Sequence, residues 1–196
     1  MTLRGASIHP QPLQQSPHIW IGGRSERGVQ RAAEVGDVWV LDATPRRSLF
    51  TPWHELYLEH AEAQGKTPRT AILRDGWVSL GGKLDDEYRA AALDAHRQKI
   101  RLGVYAVDPR IDGRDPESVA FDELAEERWL IGDPDDIAGE LDAWESELGI
   151  GYVLLRIRTS GRPSHEAALE QLRAFGETVI EPRRARLSTS STGRPK

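Results

Sequence analysis

The stretch His18–Leu41, HIWIGGRSERGVQRAAEVGDVWVL, decides the fold. Its apolar run, Ile19–Ile21, is too short for a helix and suits a buried strand within His18–Gly22. Gly22 and Gly23 end that run and admit a tight turn with no Cβ in the way. Ser25 is placed to cap a helix, along which Val29, Ala32 and Ala33 recur at helical spacing. Gly36 suits the helix C-cap, and a second apolar run, Val38–Leu41, follows at once. Strand, helix and strand in this length make a parallel βαβ crossover.

Such a junction has a direction. Glycines at the carboxyl end of a strand let the backbone approach a ligand, and the helix behind them offers unpaired N–H groups and the positive end of its dipole. Arg24 adds a positive charge and Ser25 a hydroxyl donor, so Gly22–Ser25 is suited to a phosphate. The same residues also suit a turn whose glycines serve packing alone.

The rest of the chain repeats the alternation. A helix is expected over Leu49–Gln64, with Leu56, Leu58 and Ala61 as its apolar stripe and Gly65 as its cap. Ala71–Leu80 reads as a strand interrupted at Asp75-Gly76 and ended by Gly81-Gly82. Leu84–Ala106 reads as a long helix on which His96 is a surface or partly packed residue. Asp108–Asp115 is a turn-rich connection, and Trp129–Gly132 a brief apolar segment. Asp133 then caps a helix with Pro134 in its first turn, and Ile137, Leu141, Trp144 and Leu148 form one buried face. Tyr152–Ile157 reads as a strand covered on both sides, as in a parallel sheet. The last helix covers Ser164–Ile180 with a face of Ala168, Leu172, Phe175 and Val179, and Pro182 ends it. Four strands, at His18–Gly22, Val38–Leu41, Ala71–Leu80 and Tyr152–Ile157, give an α/β class with a parallel sheet.

Two metal readings fail on chemistry. HELYLEH places His54 and His60 six apart, whereas a zinc helix needs a histidine at the position of Leu58. Asp133, Asp135 and Asp136 are explained by the helix dipole. No metal is expected.

The approach Pro10, Pro12, Pro17, the strand Ile19–Gly23, the turn Gly22–Ser25, the run Arg31–Ala33 and the strand Gly36–Trp39 together resemble the luciferase-like monooxygenases. Trp129–Asp136 (WLIGDPDD), Gly149–Arg156 (GIGYVLLR) and His165–Pro182 continue in that family's order, so the likeness spans most of Pro10–Pro182. Val38 stands where the family usually has glycine, and Arg24 where a small residue is commoner. The resemblance implies a (β/α)8 TIM barrel, present here as about its C-terminal four βα units, because a whole barrel takes about 250 residues. It implies a flavin-dependent oxidoreductase or monooxygenase using FMN or coenzyme F420 and a small organic substrate, with Gly22, Gly23, Arg24 and Ser25 at the cofactor phosphate. Asp37 and Trp39 match a family strand and are read as structural. The flavin ring and substrate pocket come largely from the family's earlier half, so no catalytic residue is named. The alternatives are a non-catalytic half barrel binding a cofactor or partner, or a truncated gene product.

Composition sets the remaining expectations. The chain has 196 residues, no cysteine and a net charge of −5. Residues 183–196 hold five cations and no acid, so residues 1–182 carry −10. Nucleic acid is therefore not expected as a partner. Residues 1–17 read as an extended lead-in, 18–182 as the domain and 183–196 as a disordered basic tail. Neither a signal peptide nor a membrane span is read, so a cytoplasmic location follows by default. A half barrel leaves two open sheet edges and an apolar inner face, so self-association or a partner supplying the N-terminal half is expected.

Overall fold

The computed structural model describes residues 9–81, 83–158 and 163–191. Its elements are β1 (Trp20–Gly22), α1 (Glu26–Val35), β2 (Val38–Leu41), α2 (Thr51–Ala63), β3 (Thr70–Val78), α3 (Lys83–Arg101), α4 (Phe121–Ala125), β4 (Leu130–Gly132), α5 (Pro134–Leu148), β5 (Ile150–Arg156), α6 (His165–Ala174) and α7 (Glu181–Ser191). Among the described residues every strand pairing is parallel. β2 lies between β1 and β3, with Trp20 opposite Val38 and Val40 opposite Ala71. β5 takes the other edge of β3, bringing Asp75 opposite Arg156.

The alternation of side chains along a strand builds two different faces. Trp39, Leu41 and Ile72 point to the helix layer and pack with Val29, Ala32 and Ala33 of α1, with Tyr57 and Ala61 of α2, and with Phe50, Trp144 and Leu148. The Trp39 ring lies 5.1 Å from Tyr57, and the Phe50 ring 6.1 Å from Trp144. The caps read from the sequence form as expected. Ser25 Oγ accepts from Gly28 N, and Asp133 Oδ1 accepts from the N–H groups of Asp135 and Asp136. Gly36 has an extended φ, and its glycine is required by space: a Cβ there would sit 2.6 Å from the Ala32 carbonyl oxygen. Asp133→Ala removes a cap bonded to two amides and is expected to lower stability by about 1 kcal/mol in urea unfolding. An unchanged midpoint would contradict that role.

Several expectations need correction. Among the described residues there are five strands, because Leu130–Gly132 pairs with Gly76–Val78. β3 runs through Asp75-Gly76 without a break: His96 and Arg156 bond the carboxylate, and a Cβ on Gly76 would meet Leu155 at 2.3 Å. α3 stops at Arg101, and Gly103 turns the chain at φ +69. β5 is not covered on both sides; Tyr152, Val153 and Leu154 are 44%, 40% and 38% exposed. An apolar run reports which residues avoid water, not whether a neighbour is present to cover them.

The last helix also differs. After α6 the backbone widens into a π-turn over Phe175–Ile180 and then continues as α7. Pro182 therefore does not end the helix. The wider turn accommodates a residue that cannot donate an N–H to the preceding turn. Leu172 is exposed, and Gln171 occupies the buried face instead. Its side-chain amide accepts from Val78 N at 2.7 Å and donates to Val78 O at 3.0 Å, substituting for a neighbouring strand. The basic tail is helical as far as Ser191, and Arg183 pairs with Asp142 and Glu145. Gly82, Arg194, Lys196 and residues 1–8 of the lead-in lie outside the described residues.

Candidate active site at the carboxyl end of the sheet

Gly22, Gly23 and Arg24 leave the carboxyl end of β1 and, with Val40, Leu41, Asp42 and Leu73, line a cavity of about 320 Å³. Only the Val40 carbonyl, at 3.8 Å, lies near the Cβ position of Gly22, so that face of the turn is open. Gly23 has a different task. A Cβ there would come within 2.9 Å of the Gly28 backbone, so this glycine lets α1 pack onto the turn. The Trp39 indole N–H donates to Gly23 O at 2.9 Å and fixes the bend from below. Asp37 also holds its expected structural place, accepting from Ile19 N at 2.7 Å. Among the four residues singled out, Arg24 carries the surprise. Its guanidinium lies 3.0 Å from Asp42 and donates to Val104 O at 3.2 Å, so its charge is already answered.

A second group of residues escaped the reading of the sequence. His96 is buried, not on the surface, and its Nε2 lies 2.9 Å from Asp75 Oδ2. Arg156 donates to the same carboxylate, from Nε to Oδ1 at 2.6 Å and from Nη2 to Oδ2 at 2.8 Å. His96 Nδ1 bonds the Tyr105 hydroxyl, and the Trp129 ring stands 4.5 Å from the imidazole. Burial raises the Asp75 carboxyl, but the bonds from Arg156 and His96 outweigh it and hold the group well below the usual carboxylate range. Burial lowers His96 and pushes the Tyr105 phenol up. An ionised Asp75 can only accept, so His96 carries its proton on Nε2, and Tyr105 O–H donates to Nδ1. Lys99 Nζ stands 3.2 Å from His96 Nε2 and is lowered by burial and then by Arg156.

Asp75 and Arg156 did leave a trace in the sequence. Each is a charge inside an otherwise apolar strand, of opposite sign, on strands expected to be parallel. Such a pair is stable in a sheet interior only when joined. His96 and Tyr105 left none, because their burial depends on how α3 and the loop after it fold over β3. Among the described residues no group of three or more His, Cys, Asp or Glu side chains is placed to hold a metal ion, and no helix is long and apolar enough to cross a membrane.

The family model for luciferase-like monooxygenases matches residues 1–150. The chain belongs to the luciferase-like monooxygenase family. No curated protein matches the sequence. Among solved structures, the monooxygenase RslO1 from Streptomyces bottropensis superposes with a TM-score of 0.64 at 21% identity, over 89% of this chain and 51% of that one. An F420-dependent secondary alcohol dehydrogenase in complex with an F420–acetone adduct gives 0.61 at 18% identity, over 92% and 53%. The oxygenating constituent of 3,6-diketocamphane monooxygenase from Pseudomonas putida, in complex with FMN, gives 0.61 at 18%, over 84% and 48%. At these identities the superpositions show the fold alone: an α/β protein with a parallel sheet, consistent with a partial TIM barrel. This luciferase-like chain spans about half the length of the structures it matches. In barrels of this kind chemistry sits at the carboxyl ends of the strands, where Gly22–Ser25 and Asp75–Arg156 both lie.

Proposed function

We propose that this chain is the cofactor-anchoring part of a flavin-dependent oxidoreductase that takes FMN or coenzyme F420 and a small organic substrate. The observation that carries the reading is the open face of Gly22, set beside a cavity at the carboxyl end of β1 and behind the N-terminus of α1. Gly22 gives the phosphate close backbone approach. Ser25 spends its oxygen lone pair on Gly28 N and keeps its O–H to donate. Glu26 and Arg27 begin α1 and have no intrahelical acceptor for their N–H groups. The bound cofactor supplies the redox chemistry; the protein positions it and excludes water. Arg24 answers the phosphate charge only as far as Asp42 shares it.

That sharing sets the sign of the test. The purified chain is titrated with FMN and with F420, following cofactor fluorescence. Ser25→Ala is expected to weaken binding about ten-fold through one lost hydrogen bond to a charged group. Arg24→Ala weakens it further, because Asp42 is left facing the phosphate. Asp42→Asn frees Arg24 and tightens binding. If neither cofactor binds at high micromolar concentration, or if Asp42→Asn weakens binding, the phosphate assignment is wrong. A second reading, a half barrel that binds a partner chain without turnover, draws on the exposed β5 face.

A further inference from the structure

The residues around Asp75 carry more positive charge than their own carboxylates answer. Asp75 serves Arg156, and Asp42 serves Arg24. Lys99 is left over: its ammonium lies against His96, and among the described residues no carboxylate comes within ion-pair range. Asp75 and Asp42 attract the ammonium only from beyond ion-pair range, whereas burial and Arg156 oppose its charge more strongly. An incoming anion would relieve it.

Arg156 is built to receive that anion. A guanidinium has two edges that can hold a carboxylate, and Asp75 takes the one formed by Nε and Nη2. The Nη1 end has no partner among the described residues, and the side chain is 29% exposed. The arm is rigid, because Asp75 is itself held by His96, and His96 by Tyr105. Leu73 precedes Asp75 by two residues on β3, so both belong to the inner face of the strand. Leu73 and Val40 form the apolar wall of the cavity beside Gly22. Cation and apolar wall thus share one face of the sheet.

We propose that Arg156 and Lys99 form a carboxylate-binding subsite for a small organic acid whose apolar body lies against Val40 and Leu73. Arg156 offers the planar two-donor edge that suits a carboxylate, and Lys99 the point charge. Asp75, His96 and Tyr105 are positioning residues. Only the naming of the acid as substrate rests on the proposed function; the binding site does not.

The test is calorimetric titration of the purified chain with benzoate in phosphate-free, low-salt buffer, with benzamide as the neutral analogue and inorganic phosphate as the anion without an apolar body. Benzoate is expected to bind at least ten-fold tighter than either. Lys99→Gln weakens benzoate at least five-fold, and Arg156→Gln at least ten-fold. Arg156→Lys recovers only part of the loss, since it restores charge without the fork. Arg156→Gln leaves Asp75 buried and unpaired; should that variant fail to fold, Lys99→Gln decides. Equal binding of benzoate and benzamide, phosphate binding as well as benzoate, or a Lys99→Gln chain that binds like the parent overturns the subsite. The same titration with FMN or F420 separates the two readings. Benzoate binding without cofactor binding keeps the subsite and removes the oxidoreductase.

Discussion

Replacing Asp75 by alanine is expected to destabilise the fold by about 3–5 kcal/mol, the cost of breaking a buried ion pair from one side. The carboxylate is 1% exposed and answers both Arg156 and His96. Removing it leaves the guanidinium without its counter-charge and the His96 N–H without an acceptor. A single domain has only about 5–15 kcal/mol in hand, so the variant is expected to lose much of its urea midpoint. Asp75→Asn keeps the shape and an acceptor for His96 and loses the charge, so it should fall between the two. If Asp75→Ala unfolds at the parent's midpoint, the chain from Arg156 to Tyr105 is not what holds β3, β5 and α3 together.

The same residues fix the acid side of the stability curve. Asp75 ionises below its unfolded value, so its contribution is complete above about pH 4 and is lost as the pH falls through its depressed folded value. His96 acts in the same direction from a higher pH. Burial holds the folded ring neutral, whereas the unfolded ring takes up a proton near pH 6.5. Stability therefore declines as the pH drops below about 6.5, first through His96 and then through Asp75. Arg156 is raised and stays charged across this range, and Tyr105, also raised, stays protonated. Urea midpoints at about pH 7.5 and 5.5 follow the His96 part of the decline, and midpoints at about pH 4 and 2.5 the Asp75 part. His54, also lowered by burial, contributes to the first part, so the informative comparison sets His96→Gln beside the parent chain. The variant is expected to show a shallower drop between pH 7.5 and 5.5, and an identical drop would remove His96 from the account.

What the sequence disclosed and what it withheld divide along contact range. The β1–α1–β2 corner was legible because its causes are local: Ser25 caps an amide three residues away, and Gly36 clears a carbonyl four residues back. The start of α5 was legible for the same reason. The buried polar chain was hidden because Asp75 reaches 21 residues to His96 and 81 to Arg156. Arg24 illustrates the same limit from the other side. Its positive charge was evident, but its partner Asp42 follows a different strand, and only the sheet brings the two together. The continuation past Pro182 depended on a π-turn, which leaves no simple periodic signal.

The exposed inner face sets the final expectation, that the purified chain self-associates. Trp20 and Tyr152 stand at the two outer strands, β1 and β5, with their rings 5.3 Å apart. Both are more than two-fifths exposed, and Leu154 beside them nearly as much. Fully burying a large apolar side chain is worth about 1.5–3 kcal/mol, so covering what these three still expose contributes roughly 1 kcal/mol each. The unpaired edges of β1 and β5 add backbone groups that another strand can satisfy. Sedimentation velocity is therefore expected to show a concentration-dependent species larger than one 196-residue chain. The triple variant Trp20→Ser, Tyr152→Ser, Leu154→Ser should shift it toward the monomer. These residues lie outside the helix-layer core of Trp39, Ile72 and Trp144, so the variant is expected to keep the parent's helical circular dichroism. A parent chain that stays monomeric at every concentration would mean that Trp20 and Tyr152, by packing on each other, already close the gap that a second chain was expected to fill.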